Sequence, residues 1–438
     1  MVDLKRAVSI SPLASLRIIF GLLMVFSTLR FWANGWIYSF YIKPEFFFGY
    51  QGLEWVKPLP GIGMYFVFGF MSLAALGIAL GFYYRFSSSL FFLLFTYVEV
   101  LDKTNYLNHY YFVSILAFLL IFLPAHRRCS YDVYKNPKLK AATIPYWMMA
   151  IPKLQLSMVY FFAGIAKLHT DWIFHALPLK LWLPAKSSIP LIGWLFKYKS
   201  TAYLFSWFGA IYDLLIPLFL WWKKSVLLAF LLVVVFHVLT WILFPIGIFP
   251  WVMIFSTSIF LPEKIHERFL TRIESFLNLP QSSNEHYTPK GKSVFFLFGI
   301  HFLFQLLIPL RFLIYPGDVR WNEQGFRFSW RVMVVEKNGS VVYEIKDKSS
   351  GNRGIALPSD YLTPLQEKQM SFQPDMILQL GQHIGNELKS KGIDAEVRVS
   401  SKVSMNGNEN RTFIDPSVDL MKVSTGFGNR NWILPYED

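Results

Sequence analysis

The sequence predicts an α-helical polytopic membrane protein with about nine transmembrane helices and a small extramembrane α+β domain at its C-terminal end. Two observations support this fold class. Hydrophobic residues make up 54% of the 438 residues and charged residues only 16%, whereas soluble proteins carry about a quarter charged residues. The apolar residues also form runs close to the length of a membrane span, and these runs stop near residue 315.

Nine apolar segments are candidate spans: 13–32, 62–81, 87–101, 109–124, 145–166, 202–222, 225–244, 246–261 and 294–315. The third, fourth and eighth are shorter than the roughly 20 residues that a crossing helix needs, so they would tilt or thin the bilayer locally. Lys5 and Arg6 precede the first segment, as in a signal peptide. Arg17 interrupts that segment and no small-residue cleavage site follows, so we interpret it as a retained span.

The lysine and arginine bias predicts the orientation. With a cytoplasmic N-terminus, the inward segments hold 15 Lys and Arg and the outward connections hold 7. An odd number of spans then places everything after residue 315 outside. We therefore expect a transmembrane bundle over residues 1–315 and an extracytoplasmic α+β domain over residues 316–438. The short external domain and the single cysteine favour a bacterial inner membrane.

The C-terminal region has a different residue pattern. The stretch FRFSWRVMVVEKNGSVVYEI contains two alternating runs around Asn338-Gly339, which predicts a β-hairpin. Thr363 fits a helix N-cap and Pro364 the first helical position, while Gly392 fits the end of the helix. Pro374 is expected to divide this segment into two helices. DAEVRVSSKVSM predicts another strand, closed by the polar turn NGNEN.

Composition also argues against several function classes. The net charge of +14 could indicate nucleic-acid binding, but in a membrane protein excess Lys and Arg usually marks cytoplasmic loops, so no nucleic-acid partner is expected. The single cysteine, Cys129, cannot form an internal disulfide. The sequence has no Walker loop, no GxGxxG and no nucleophile elbow. His109 and His237 could bind a metal, but no metal-binding spacing supports this, so none is expected.

Several polar residues fall on the predicted outer side. Lys167 ends the fifth span, and the connection LDKTNYLNHYY, residues 101–111, joins spans three and four. His237 lies in the outer half of span seven, and the external domain begins with Trp321. Each also has a structural interpretation. Lys167 could extend to the lipid headgroups, His237 could be a hydrogen-bonded core residue, Asp102 and Lys103 could pair, and Asn108-His109 could cap span four.

Lys167 is the most informative of these residues. Tyr160, Ala163, Gly164 and Lys167 share one face of the predicted helix. The small residues Ala163 and Gly164 would let a neighbouring helix or a flat ligand approach closely. The nearest acid in the sequence is Asp171, so we expect Lys167 to lack an acidic partner. An amine facing protein without such a partner loses its proton more easily than one in water, which would make Lys167 a possible base.

Five stretches, in order along nearly the whole chain, carry a resemblance to a known family. They are LGFYYRFSSSLFFLLFTYVEVLDKTNYLNHYY, VYFFAGIAKLHTDW, FHVLTWILFPIGIFPWVMI, WNEQGFRFSWRVMV and IDPSVDL. Together they resemble the vitamin K-dependent γ-glutamyl carboxylases and their HTTM-domain relatives. In that family a lysine deprotonates reduced vitamin K, which reacts with oxygen on the way to an epoxide. The base formed in this reaction removes a γ-proton from glutamate, and the carbanion adds carbon dioxide.

The resemblance implies residue roles, cofactors and a partner. By motif position, the catalytic residues would be Lys167, His109 and Asn108, with His169 and Asp171 as neighbours. Asn108, Tyr160, His237 and Trp330 would bind the cofactor, and Tyr160, Trp321, Phe326 and Ser329 the substrate. The implied cofactor is reduced vitamin K, such as menaquinol or phylloquinol, used with O2 and CO2. The implied partners are the lipid bilayer and a glutamate-containing peptide or protein on the outer side.

The sequence departs from the animal enzymes of this family in three ways. It stops soon after IDPSVDL, so we expect the later region that helps to hold the substrate's propeptide to be missing. Its one cysteine cannot form the disulfide that ties the membrane and luminal parts together. Ala166 replaces a lysine that the family often has beside the catalytic one. Two alternatives to a γ-glutamyl carboxylase therefore stay open: a quinone epoxidase or oxidoreductase that does not carboxylate protein, and a non-catalytic transporter or scaffold.

Overall fold

The computed structural model describes residues 3–279, 285–289 and 293–436. The chain begins with a bundle of apolar helices and ends with an α+β domain. The bundle helices are α1 Ser11–Ala33, α2 Gly63–Leu80, α3 Tyr84–Val100, α4 Asn108–Phe122, α5 Tyr146–Ile165, α6 Lys199–Trp221, α7 Val226–Leu243, α8 Phe249–Thr257, the amphipathic α9 Glu263–Phe276, and α10 Ser293–Leu310. Short helices at Tyr131–Lys135, Thr170–His175, Leu179–Trp182 and Val319–Asn322 lie in the connections.

Six helices of the described residues are long and apolar enough to cross a membrane: α1, α2, α5, α6, α7 and α10 with the turn that follows it. Each of the nine predicted segments contains a helix, but nine membrane spans are not confirmed. Helix α4 has 15 residues and α8 has 9. At 1.5 Å per residue neither reaches the ~30 Å of a hydrocarbon core.

The connections gather at the two ends of the bundle. At one end, β1 Ala7–Ser9 pairs antiparallel with β2 Thr143–Pro145, and Arg128 pairs with Glu274 of α9 at 3.2 Å. At the other end lie the connections that precede α2, α4 and α6, and the C-terminal domain rests on them. Thus the connections predicted to share a membrane side do lie together, while which end faces the cytoplasm stays a prediction.

The C-terminal domain contains an antiparallel sheet with the order β4-β3-β5-β6. Its strands are β3 Lys337–Asp347, β4 Arg353–Ala356, β5 Ala395–Met405 and β6 Arg411–Thr412. Helices α11 Pro364–Met370 and α12 Pro374–Ser390 complete the domain. Tyr343 of β3 is fully buried against α12 and donates a hydrogen bond to the carbonyl of Ile377 at 2.8 Å, which joins sheet and helix.

The local helix signals are confirmed. The Thr363 hydroxyl accepts a hydrogen bond from the Gln366 backbone amide, and Oε1 of Gln366 accepts one from the Thr363 backbone amide. This is a capping box. Pro374 begins α12, and Gly392 follows its end with a φ of +84°. The strand predicted from DAEVRVSSKVSM is β5.

The hairpin predicted at Asn338-Gly339 is wrong. Both residues lie inside β3, where Asn338 pairs with Ser404 and Gly339 with Val403 of β5. Gly339 lets the backbone of Ser371 lie close to β3 and does not form a turn. A Cβ atom at this position would lie 2.4 Å from the carbonyl oxygen of Ser371. β3 pairs on one side with β4, which follows it in the sequence, and on the other side with β5, which comes after the helices.

The C-terminal domain docks on the bundle through polar contacts. Lys103 pairs with Asp375 at 2.8 Å, and Gln366 donates to Asp102 at 2.9 Å and to the carbonyl of Phe46 at 2.7 Å. The interpretation that Asp102 and Lys103 pair with each other is therefore wrong. These two residues instead fix the domain over the start of α4.

Candidate active site

A cavity of about 390 Å³ lies between α4, α5, α6 and α7, below the segment 330–333 of the C-terminal domain. We call it the Lys167 cavity. It brings together six residues predicted from the sequence: Asn108, His109, Tyr160, Lys167, His237 and Trp330. Apolar side chains form most of the remaining wall. Leu204, Phe208 and Val235 line it while also being exposed on the outer faces of α6 and α7, so the cavity reaches the lipid-facing surface.

Lys167 follows directly after the end of α5 and is only 6% exposed. Its Nζ donates to the Asp213 carboxylate at 2.6 Å and to the Ala163 carbonyl at 3.1 Å. It also lies 5.5 Å from the centre of the Trp172 ring. The expectation that Lys167 lacks an acidic partner is wrong. The two residues are distant in the sequence, but α6 packs along α5 and brings Asp213 to Lys167.

Asp213 is a candidate site residue that the sequence analysis missed. It lies in the middle of α6, is buried and lines the Lys167 cavity. A signal was present, because it is the one acid in a 23-residue apolar helix. Acids within membrane segments are rare and usually face a partner or a cavity.

The close packing predicted beside Lys167 is present. A Cβ atom at Gly164 would lie 2.7 Å from Cγ of Leu214. This glycine therefore lets α5 and α6 approach closely enough for Lys167 and Asp213 to pair. Ala163, on the same turn, lines the cavity.

Tyr160 and His237 form a polar spot in the apolar wall. The Tyr160 hydroxyl lies 3.3 Å from the Thr257 hydroxyl. The centres of the Tyr160 and His237 rings lie 6.0 Å apart. Nδ1 of His237 lies 2.9 Å from the carbonyl of Val233. Since a carbonyl only accepts, Nδ1 carries the proton and Nε2 is left as an acceptor.

Asn108 and His109 form a wall shared by two cavities. Both line the Lys167 cavity, and both line a larger cleft of about 1300 Å³ under the C-terminal domain. The Asn108 amide donates to the Arg331 carbonyl at 3.1 Å and accepts from the Tyr106 hydroxyl at 3.1 Å. Leu107 is the N-cap of α4, and no side chain caps that helix. The interpretation of Asn108-His109 as a helix cap is therefore wrong.

The larger cleft, which we call the basic cleft, carries six cationic and two acidic side chains: Arg30, Lys103, Arg327, Arg331, Lys337, Lys368, Glu323 and Glu336. Asp375 pairs with Lys103 and Arg327, and Glu323 pairs with Lys337. Arg30 and Arg331 form no ion pair with the described residues and pack on aromatic rings at 4.6 and 4.4 Å. These two guanidinium groups are available to a carboxylate.

Trp330 reaches the Lys167 cavity from a strained segment. Phe328, Trp330 and Met333 have φ values of +60°, +60° and +53°, in the left-handed region that side chains other than glycine rarely adopt. Such strain clusters at functional sites. The indole Nε1 of Trp330 is buried and has no hydrogen-bond partner among the described residues. Among the described residues this N–H group is therefore an unsatisfied donor on a residue of the cavity wall.

The other predicted substrate residues lie elsewhere. Trp321 is buried in the core of the C-terminal domain, where it packs on Phe413 and donates to the Leu434 carbonyl at 2.8 Å. The Ser329 hydroxyl bonds to the carbonyl of Phe326. Phe326 lines the basic cleft. Of the three, only Phe326 is thus in contact with either cavity.

His169 and Asp171 act in docking rather than at the cavity. Arg320 donates to Asp171 at 2.8 Å and to Nδ1 of His169 at 2.6 Å, and Asn406 also donates to Asp171 at 2.8 Å. Burial and the nearby Arg320 lower the pKa of His169 to about 4. The ring is therefore neutral near pH 7 and can accept the hydrogen bond. Within residues 3–279, 285–289 and 293–436, no group of three or more His, Cys, Asp and Glu side chains is placed to hold a metal.

Comparison with known proteins identifies the family of the chain. The family model of the HTTM domain matches residues 5–264, more than half of the chain. The model of the vitamin K-dependent gamma-carboxylase lumenal domain matches residues 290–438. No solved structure matches the chain significantly. The chain therefore belongs to the HTTM-domain family of membrane proteins, and its C-terminal region to the lumenal-domain family of vitamin K-dependent gamma-carboxylases.

Proposed function

We propose that this protein is a membrane enzyme that oxidises a reduced vitamin K-type naphthoquinone with O2 and couples this reaction to the carboxylation of glutamate by CO2. One observation carries the proposal. The Lys167–Asp213 pair lines an apolar cavity that reaches the lipid surface, and Asn108 and His109 join that cavity to the basic cleft. A lipid-soluble cofactor and a charged substrate would meet at this wall.

The Lys167 cavity fits a naphthohydroquinone. Its volume of about 390 Å³ lies within the range of small-molecule sites, and its wall is mainly apolar and aromatic. The unpartnered Trp330 N–H and the acceptor Nε2 of His237 suit the oxygens of a hydroquinone, which both accept and donate. The opening at Leu204, Phe208 and Val235 gives an isoprenoid tail a way into the bilayer.

Lys167 and Asp213 together would form the base. Nζ is at the cavity wall, and Oδ2 of Asp213 lies 2.6 Å from it. Because Asp213 can hold a proton that leaves Nζ, the pair can take a phenolic proton without leaving an isolated buried charge. Asp213 also fixes the position of the amine, since the Ala163 carbonyl provides the other hydrogen bond.

The basic cleft would hold the glutamate side chain. Arg30 and Arg331 have no carboxylate partner among the described residues, and an arginine binds a carboxylate with two parallel hydrogen bonds. His109 lies between this cleft and the Lys167 cavity. When bound, reduced vitamin K with O2 would supply the strong base that removes the γ-proton before CO2 adds. The apolar wall would exclude water from that base.

The test uses purified protein in lipid with reduced vitamin K, O2, labelled CO2 and a glutamate peptide. The wild type should form the epoxide and incorporate label into the peptide. Lys167→Ala should abolish both products. Lys153→Ala is the matched control, because Lys153 lies on α5, the helix that leads to Lys167, but lines neither cavity. Wild-type protein that forms no epoxide in lipid would contradict the proposal.

The same experiment separates the alternatives. Epoxide formation without label in any glutamate peptide would favour a quinone epoxidase that does not carboxylate protein. Solute flux into proteoliposomes that survives Lys167→Ala would favour a transporter. The carboxylase proposal is favoured because a basic cleft suited to a carboxylate adjoins His109. Neither alternative requires such a cleft beside the cavity.

We also propose that the end with the C-terminal domain faces outwards, based on the lysine and arginine bias. Cys129 is buried, so a single exposed cysteine can be introduced with little background. In intact cells, Lys348→Cys should react with a membrane-impermeant maleimide, because Lys348 is exposed in the C-terminal domain. Labelling only after cell lysis would show that the C-terminal domain faces the cytoplasm, opposite to our proposal.

A further inference from the structure

A second cavity of about 300 Å³ lies on the other side of α4, between α3, α4, α10 and the segment that carries Phe328. We call it the Glu99 cavity. It shares no lining residue with the Lys167 cavity. Neither the proposed base nor the predicted cofactor residues therefore account for it.

Aromatic rings form much of its wall: Tyr50, Phe92, Tyr106, Tyr111, Phe118 and Phe328. The rings of Tyr50, Tyr106 and Tyr111 lie 5.7, 4.9 and 4.9 Å from that of Phe328, measured between centres. Phe92 and Phe118 lie 5.6 Å apart on α3 and α4. The faces of such rings carry partial negative charge and attract cations.

Glu99 is the one acidic residue among the lining residues, and no lysine or arginine lines the cavity. It accepts a hydrogen bond from the Ser114 hydroxyl, and within the described part of the chain no cation lies in ion-pair range of it. The His301 ring, also in the wall, is bonded through Nε2 to Gln155 at 2.9 Å. A carboxyl group in a membrane segment is costly unless it has a partner.

We propose that the Glu99 cavity binds an organic ammonium group. Glu99 would balance its charge, and the six rings would surround its methyl or methylene groups. Inorganic cations suit this wall less well, since they require several oxygen ligands, whereas alkylammonium groups are recognised by aromatic cages. The ammonium group could belong to a lipid headgroup or to a free small amine.

The full-length protein in a neutral maltoside detergent is titrated calorimetrically with tetramethylammonium, choline and ethanolamine. At least one should bind saturably. Glu99→Gln should weaken that affinity about ten-fold or more, because it removes the only opposite charge in the cavity. Glu387→Gln is the matched control, since Glu387 is an acid in the C-terminal domain whose partner is Lys391. It should bind like the wild type.

Phe92→Leu provides a second variant in case Glu99→Gln does not fold. It keeps apolar bulk but removes one ring, and it should weaken binding of the same cation.

Competition with short-chain phosphatidylcholine and phosphatidylglycerol identifies the source of the ammonium group. Displacement by phosphatidylcholine alone indicates a lipid headgroup, and displacement by neither lipid indicates a free amine. Absence of saturable binding by all three cations, or unchanged binding in both variants, would overturn the proposal.

Discussion

Arg17 and Lys167 are both buried cations of the helical bundle, yet their surroundings differ. Arg17 is fully buried, and its guanidinium donates to the carbonyls of Ile78, Ala79, Ala125 and Cys129 at 2.5 to 3.2 Å. It lines none of the cavities described above. Lys167 lines a cavity and bonds to one carboxylate and one carbonyl.

The difference shows that burial of a charge does not by itself identify a site. The hydrogen bonds of the Arg17 guanidinium all go to backbone carbonyls. They connect α1 to the end of α2 and to the segment after α4, so Arg17 stabilises one end of the bundle. The Lys167 nitrogen lies at the wall of a cavity and has a partner that can take its proton. The following variants test this contrast, beginning with the largest expected effect.

Lys167→Ala should lower epoxidation by about 10²- to 10⁴-fold, the usual contribution of a positioned acid or base. Its melting temperature should fall less than that of Arg17→Met. Initial rates at saturating hydroquinone and thermal melting in detergent measure both quantities. Activity within two-fold of the wild type would mean that Lys167 resembles Arg17 in its role.

Asp213→Asn should lower kcat by up to about 10²-fold, because Nζ of Lys167 loses the group that positions it and takes its proton. The KM for hydroquinone should change much less, since the cavity wall is otherwise intact. Asp213→Glu should recover part of the rate. An unchanged kcat in Asp213→Asn would show that Lys167 acts without its partner.

Arg17→Met should lower the melting temperature by several degrees, because each buried carbonyl left without a donor costs about 1–3 kcal/mol. The activity of the folded fraction should stay near that of the wild type, since Arg17 does not line the Lys167 cavity. Arg17→Lys should lie between the two, because one ammonium group cannot reproduce the planar fork of a guanidinium. Loss of activity without loss of stability would contradict a structural role.

The smallest effect is expected at Asp375, where the C-terminal domain meets the bundle. Burial would raise the pKa of Asp375, but Arg327 and Lys103 outweigh burial and hold it well below its ordinary value of 3.8. Because the folded pKa is depressed, this carboxylate stabilises docking at neutral pH, and that stabilisation is lost as the pH falls below about 4.

Melting curves at pH 7, 5 and 3.5 test this dependence. Asp375→Asn should be less stable than the wild type at pH 7 and 5, and the difference should shrink at pH 3.5. Asp394→Asn removes an exposed acid that pairs with the exposed Lys348, and this variant should differ little from the wild type at any of the three pH values. A difference for Asp375→Asn that does not depend on pH would contradict the assigned ion pair.

Sequence alone determined the features that depend on neighbouring residues. Each predicted apolar run contains a bundle helix, whereas the amphipathic α9 lies outside these runs. Thr363, Pro364, Pro374 and Gly392 mark the starts and ends of helices in the C-terminal domain. These succeed because hydrophobic periodicity and capping are local. The alternation of the predicted spans also placed the connections before α2, α4 and α6 on one side, where they meet the C-terminal domain.

Only the tertiary structure decided the features that depend on partners distant in the chain. Asp213 lies 46 residues from Lys167 and reaches it because α6 packs on α5. The strand that pairs with Asn338 and Gly339 is β5, from after the helices. A glycine is needed at position 339 because the backbone of Ser371 lies close to it, and no turn forms there. Glu99 and Phe328 meet across one cavity in the same way. Composition and spacing limit which residues can act, but packing decides which of them face each other.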